Sequence, residues 1–224
     1  MVSVVMLGAS GAVGQEALRR LGDMPEVTRV TLLNRRAMTG LPESGLPDKA
    51  VEHIVDVGDP ASYEHLLTGH DAAICTLGVG EPSKASREEF TRVDYDMPLA
   101  FGQACAAAGV THFSLLSAVG VNAKSRIFYV RSKGQLEDAL QGMGFARVSF
   151  AHPCIIMTPE NRYGLSQAIV LAVWPWVDLA LIGPLRRFRG IKVRDLGSAM
   201  ALNVALPGTG AEVLEWDEMM AMVH

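Results

Sequence analysis

The chain has 224 residues, 49% hydrophobic and 20% charged, a balance that suits an ordinary globular α/β protein and excludes a disordered one. Its net charge of −4 and scattered basic residues exclude a nucleic-acid footprint, the densest run being only Arg186-Arg187-Phe188-Arg189. Cys75, Cys105 and Cys154 are odd in number and lack C-x-x-C or Cys/His ligand spacing, so buried thiols in a reducing compartment are expected, with no disulfide and no metal site.

The first stretch, Met1 to Leu21, organises the rest. Val2 to Leu7 reads as a buried strand, and Val13, Ala17, Leu18 and Leu21 recur at helical spacing. Between them lies Gly8-Ala9-Ser10-Gly11-Ala12-Val13-Gly14, so the order is strand, glycine turn, helix: the first half of a dinucleotide-binding βαβ unit. Gly8 turns the chain off the strand, Gly11 clears space for a pyrophosphate, and Gly14 lets the helix pack closely on the strand. The helix N-terminus then offers free N–H groups to phosphate oxygens. Glycine spacing alone would equally fit a structural turn; its place at the mouth of the first strand favours the nucleotide.

Val27 to Leu33 is the second expected strand, ending in Asn34-Arg35-Arg36. Sites that prefer NAD carry an acid near this point for the ribose 2′-hydroxyl. Two arginines and no acid favour a 2′-phosphate, hence NADP, the alternative being a solvated basic turn. Thr39 to Lys49 reads as a loop and Val51 to Val57 as a third strand. Asp56 at its end could reach an adenine amino group or simply make a turn. Pro60 opens a short helix through Leu67, and Asp71 to Gly78 makes a fourth strand. A long helical region covers Ser86 to Ala108, with an irregularity before Pro98, and a fifth strand covers Thr111 to Leu116. A helix beginning near Lys124 or Ser125 precedes a sixth strand, Phe145 to Phe150, which closes on His152-Pro153.

Alternating strands and helices imply a Rossmann-type α/β fold with a doubly wound parallel sheet. We expect one domain over residues 1–224, with a cofactor-binding core at 1–153. The remainder, 154–224, is expected to be a small C-terminal substrate-binding region rather than an independent domain. Within it, Ile191 to Val193 suggests a short strand, Asp195 to Leu206 a helix and Ala211 to Trp216 a strand. Leu165 to Ile182 is strongly apolar, but Gln167, Pro175 and Asp178 argue against a membrane span. It reads as a helix facing the core, a pocket or another subunit. The apolar start lacks a basic leader, so no signal peptide is expected, and the protein is expected to be cytoplasmic.

Tyr129 and Lys133 stand four residues apart, and with Leu136 and Leu140 they fall within an arc of roughly 60° on one helical face. Y-x-x-x-K alone fits an ordinary helix surface. Its location after the fifth strand, with Ser117 twelve residues upstream, suits carbonyl reduction. Tyr129 would give the proton, the Lys133 cation would make the phenolate less costly, and Ser117 would orient the carbonyl oxygen.

GASGAVG, VTLLNRR, ICTLG, RVDYD, HFSLLSAVG and YVRSKGQLE, spread over residues 2–160, together resemble a short-chain dehydrogenase/reductase, and more narrowly its atypical, Tat-interacting-protein-like branch. The resemblance implies NADP binding through Gly8, Ser10, Gly11, Ala12, Val13, Gly14, Asn34, Arg35, Arg36 and Asp56. Leu77, Gly78, Tyr129, Lys133 and Pro153 would lie nearer the nicotinamide, and Ser117, Tyr129 and Lys133 would be catalytic. Members of that branch often have Ser-Ser and Arg-Pro where this chain has Ser117-Ala118 and His152-Pro153. The function expected is an NADP-dependent oxidoreductase of a small carbonyl compound. Its competitors are an NADPH-binding regulatory or interaction protein with little turnover, and an isomerase or epimerase that recycles its nicotinamide. The expected partner is a small molecule, with no nucleic acid and no membrane span, and with room for a homo-oligomer.

Overall fold

The computed structural model describes residues 1–39, 45–80, 84–158, 174 and 177–224. Its strands are β1 (Val2–Leu7), β2 (Val27–Asn34), β3 (Ala50–Ile54), β4 (Ala72–Cys75), β5 (His112–Leu116), β6 (Arg147–Ala151), β7 (Ile155–Met157), β8 (Gly190–Lys192) and β9 (Gly210–Leu214). The helices are α1 (Ala12–Asp23), α2 (Arg87–Thr91), α3 (Met97–Ala107), α4 (Phe128–Gln141), α5 (Val193–Ala205) and α6 (Trp216–Val223). Seven strands form one sheet in the order β3-β2-β1-β4-β5-β6-β9. Every neighbouring pair in it is parallel. The chain winds outward from β1 in one direction and from β4 in the other, so a crevice opens where β1 and β4 end together, Leu7 opposite Cys75.

A strand covered on both faces reads as an uninterrupted apolar run, and β1 shows this directly. Val4 and Met6 join the core built by Val13, Ala17 and Leu21 of α1 with Leu196 and Met200 of α5 and Met219 of α6. Val5 and Leu7 point the other way, into a second core with Phe101 and Cys105 of α3 and Leu136 and Leu140 of α4. The expected doubly wound parallel sheet is therefore present, with helices on both faces.

Differences from the expected elements have local causes. β3 stops at Ile54 because Asp56 turns back and accepts a hydrogen bond from the Gly58 amide at 2.9 Å. The short helix expected from Pro60 is instead two 3₁₀ turns, Pro60–Ser62 and Glu64–Leu66, tightened by the Asp59 side chain and the Ser62 hydroxyl. The irregularity before Pro98 is a π-helical turn, Arg92–Asp96, joining α2 to α3. Proline has no N–H for the carbonyl four residues back, and the wider turn absorbs the missing bond. α4 starts later than expected because side chains of Asn122 and Ser125 hold the preceding segment in turns, bonding the Lys124 and Ile127 amides.

The last third contributes more to the main sheet than its weak patterning suggested. β9 pairs along β6, from Arg147 opposite Gly210 to Ala151 opposite Leu214. α6 follows it through a capping box between Glu215 and Glu218, a helix the periodicity did not reveal. β8 pairs with β7 in a separate two-stranded ribbon. Most of Leu165 to Ile182 lies outside the described residues. Within it, Asp178 accepts a hydrogen bond from the Gly190 amide at 2.9 Å. No helix among the described residues is long and apolar enough to cross a membrane.

Candidate functional site

The glycine turn closes β1 at the switch point. Gly8 has φ 94°, and a side chain there would press within 2.7 Å of the Leu77 amide nitrogen at the end of β4. Its carbonyl accepts from the Gly11 amide and the Thr76 hydroxyl, both at 3.0 Å, which fixes the turn. A Cβ on Gly14 would run into that same Gly8 carbonyl and stand 2.8 Å from the Ala9 Cα. Gly11 is different, since the nearest atom to its Cβ position is the Gly8 oxygen at 3.3 Å and the residue is exposed. Gly11 caps α1 without any side-chain hydrogen bond, and no acid lies in the first turn. The amides of Ala12, Val13 and Gly14 are therefore left for an anion, and Ser10 is exposed beside them. This cradle fits a dinucleotide pyrophosphate.

At the end of β2, Arg35 and Arg36 are exposed, while Asn34 is buried. Asn34 donates to Glu52 of β3 at 2.6 Å, and the Met38 amide bonds the same carboxylate oxygen at 2.9 Å. An acid absent from the β2 end in sequence thus arrives there from the neighbouring strand. Asp56 is exposed and makes the Gly58 turn.

Beyond β4, Leu77 and Gly78 lie against the π-turn. Asp94 is buried, and one of its oxygens accepts from the Val79 amide at 2.8 Å. Its other oxygen pairs with Lys133 Nζ at 3.0 Å, both side chains being nearly inaccessible. Lys133 is 5% exposed, as its place in the apolar stripe of α4 predicted. One turn earlier, Tyr129 packs its ring on Phe90 at 5.4 Å between centroids, and its hydroxyl has no hydrogen bond among the described residues. Burial raises its phenolic pKa above the ordinary value; Lys133 pulls it down and Asp94 pushes it up again. The phenol therefore keeps its proton at neutral pH.

Ser117 sits directly after β5, with its amide bonded to the Ala151 carbonyl at 2.9 Å. Its hydroxyl donates to Glu137, on α4 one turn beyond Lys133. His152 Nε2 meets the same Glu137 oxygen at 2.8 Å. All three residues are buried. The structure thus brings Tyr129 and Lys133 together on α4 and gives Ser117 a partner of its own. A carboxylate between a hydroxyl and an imidazole is a clamp and not a nucleophile triad, because the imidazole does not touch the hydroxyl. Pro153 is buried, and its carbonyl accepts from the Val119 amide at 3.1 Å.

A family model described as NAD(P)H-binding matches residues 8–147, from the first glycine of the cradle to the start of β6. The chain belongs to the NAD(P)H-binding family. Protein HTATIP2 of Rattus norvegicus is 29% identical over 228 residues, covering 99% of this chain and 88% of its own length. Protein fmp52, mitochondrial, of Emericella nidulans is 31% identical over 172 residues, covering 75% of this chain and 73% of its own. The compartment in that fungal name gives no support to a purely cytoplasmic protein. The structure of MoeE5 with UDP-glucuronic acid and NAD superposes with a TM-score of 0.69 at 17% identity, over 96% of this chain and 75% of that one. The oxidoreductase ylbE of Lactococcus lactis gives 0.65 at 18% identity, over 91% and 84%. These likenesses show a Rossmann-like α/β fold.

Within this NAD(P)H-binding frame, Glu52, Asp94 and Glu137 carry no role expected from the sequence, and His152 stands there only as a departure from Arg-Pro. Glu137 was findable, lying eight residues past Tyr129 and four past Lys133 on the same helical face. Asp94 and Glu52 gave no such signal, because their partners are fixed by strand order and by the π-turn.

Proposed function

We propose that this NAD(P)H-binding protein is an NADP-dependent reductase of a small carbonyl compound. The observation that carries the reading is the pair on α4: a protonated phenol, Tyr129, one turn from a buried cation, Lys133, at the crevice below the glycine cradle. NADPH bound there would supply hydride to the carbonyl carbon. Tyr129 gives its proton to the carbonyl oxygen as negative charge grows on it, and Lys133 limits the cost of the resulting phenolate. Burial, with Asp94 offsetting part of the Lys133 charge, keeps the proton on Tyr129, the form that carbonyl reduction uses. Ser117 directs its hydroxyl hydrogen bond to Glu137 and so acts through position, holding that carboxylate beside His152. Arg35 and Arg36 are the residues to hold a 2′-phosphate, with Glu52 turned aside by its bonds to Asn34 and Met38.

Calorimetry with both cofactors tests the nucleotide half of this reading. NADPH should bind more tightly than NADH. Arg35→Ala with Arg36→Ala should remove most of the difference, each charge-assisted contact being worth roughly 1.5–3 kcal/mol. Equal dissociation constants in the unmodified protein would contradict it. A second reading, a cofactor-binding regulatory protein with negligible turnover, is favoured by the fact that Lys133 and Ser117 are both already paired with carboxylates.

A further inference from the structure

A cavity of about 480 Å³ opens beyond the carboxyl ends of β5, β6 and β9, bordered by Gly120, Val121, Phe188, Val213, His152, Arg187, Glu215 and Glu218. Its polar groups are unbalanced. Two carboxylates stand against one guanidinium, and Arg187 already faces Glu215 at 3.8 Å. His152 is the buried polar side chain among them, and its position is fixed from three sides. Its amide bonds the Leu214 carbonyl at 2.9 Å, the next residue's carbonyl takes the Val119 amide, and its Nε2 meets Glu137 at 2.8 Å. Glu137 also receives the Ser117 hydroxyl, so its oxygen is an acceptor and the imidazole presents an N–H to it from Nε2. Nδ1 is left without a partner among the described residues, on a residue that lines the cavity.

We infer that His152 reads the substrate, and that the substrate is a neutral hydroxylated carbonyl compound. Its hydroxyl bonds Nδ1 while its apolar part lies along Phe188, Val121 and Val213. A carboxylate or phosphate is disfavoured, because the wall carries two carboxylates and its one guanidinium already faces Glu215. Arginine at this position would present only donors and would select the opposite class. This inference rests on the reading of the protein as a carbonyl reductase, since it names what that site takes.

Three probes of nearly equal size separate the possibilities: 2-hydroxyacetophenone, acetophenone without the hydroxyl, and benzoylformate with a carboxylate. Each is titrated by NMR into the full-length protein, labelled with ¹⁵N-histidine and saturated with NADP⁺ so that no reduction occurs. The His152 ring signals are assigned through their loss in His152→Ala. 2-Hydroxyacetophenone should bind roughly three- to tenfold more tightly than acetophenone, the worth of one hydrogen bond, and should shift the Nδ1 signal. Benzoylformate should bind most weakly. His152→Ala should erase the hydroxyl preference, and His152→Arg should turn it toward benzoylformate. If the alanine variant does not fold, His152→Gln keeps a donor toward Glu137, moves the acceptor, and should still lose the preference. Equal affinity for the first two probes, an unmoved Nδ1 signal, no binding of the hydroxyketone at millimolar concentration, or a preference that survives in the variants would each overturn the assignment. Selective binding without NADPH-dependent reduction leaves it standing and removes the reductase reading. Reduction of both ketones with equal KM and equal affinity does the reverse.

Discussion

Gly11 and Gly14 lie three residues apart in one turn, yet they answer to different constraints. A methyl on Gly14 strikes the Gly8 carbonyl and the Ala9 backbone, which cannot give way without opening the turn. A methyl on Gly11 meets a single protein atom, the Gly8 oxygen at 3.3 Å, at the exposed N-cap of α1. Gly14→Ala should therefore cost about 1–3 kcal/mol of stability, the usual cost of overpacking. Gly11→Ala should melt close to the unmodified protein while losing NADPH affinity. Thermal melts and cofactor titration of the two variants check this, and equal melting losses would show that the turn is merely structural. Lys133 poses a similar question of role. Lys133→Met leaves the Asp94 carboxylate buried and unpaired, which should destabilise the fold by roughly 3–5 kcal/mol. Adding Asp94→Asn should restore much of that loss without restoring turnover. Denaturant unfolding of the four-member cycle measures it; additive losses would mean the pair is not coupled.

At the scale of elements, β9 is fastened to the sheet by a polar chain rather than by apolar packing alone. Glu212 accepts from Arg147, Ser149 and Asn203, and Ser149 in turn meets His112 Nε2 at 2.7 Å. Burial, aided by the Arg147 charge, pushes the His112 imidazole from 6.5 down to about 4, while Glu212 pulls the other way. Burial opposes ionisation of Glu212, but bonds from Ser149 and Asn203 and the Arg147 charge hold it below the ordinary value. An imidazole with a depressed folded pKa takes up its proton earlier in the unfolded chain, so stability is full above 6.5 and is lost as pH falls toward 4. For His112 alone the loss is on the order of 3 kcal/mol, and Glu212 continues it in the same direction at lower pH. Urea midpoints followed from pH 7 to pH 4 should fall, and His112→Gln should flatten the upper part of that slope; an unchanged slope would place the titration elsewhere. None of this network is visible in sequence, because Arg147, Ser149 and Glu212 become neighbours only once β9 takes its register beside β6. β1, α1, β2 and the β5–α4 segment were legible for the opposite reason: each carries its own periodicity and its own turn chemistry. Lys133 was correctly placed inward by helical spacing. Its partner Asp94, brought inward by a π-turn in another helix, was not foreseen.

Taken whole, the molecule is a dinucleotide-binding sheet with its glycine cradle, its Tyr129–Lys133 pair and its His152 cavity all gathered at the carboxyl edge of the strands. That gathering follows from parallel topology, which delivers every strand's outgoing loop to one side. The fold and the cradle were readable from the chain. The polar lining was only half readable, since the carboxylates facing Lys133, Ser117 and Asn34 come from distant segments. Chemistry at Tyr129 is the central claim, and Tyr129→Phe addresses it without disturbing the ring packed on Phe90. The measurement is reduction of 2-hydroxyacetophenone at saturating NADPH by the unmodified protein and by this variant, with NADPH affinity determined for both. Affinity should be nearly unchanged while turnover falls by roughly two to four orders of magnitude. Undiminished turnover in Tyr129→Phe would remove Tyr129 from the mechanism and assign the proton transfer to another group.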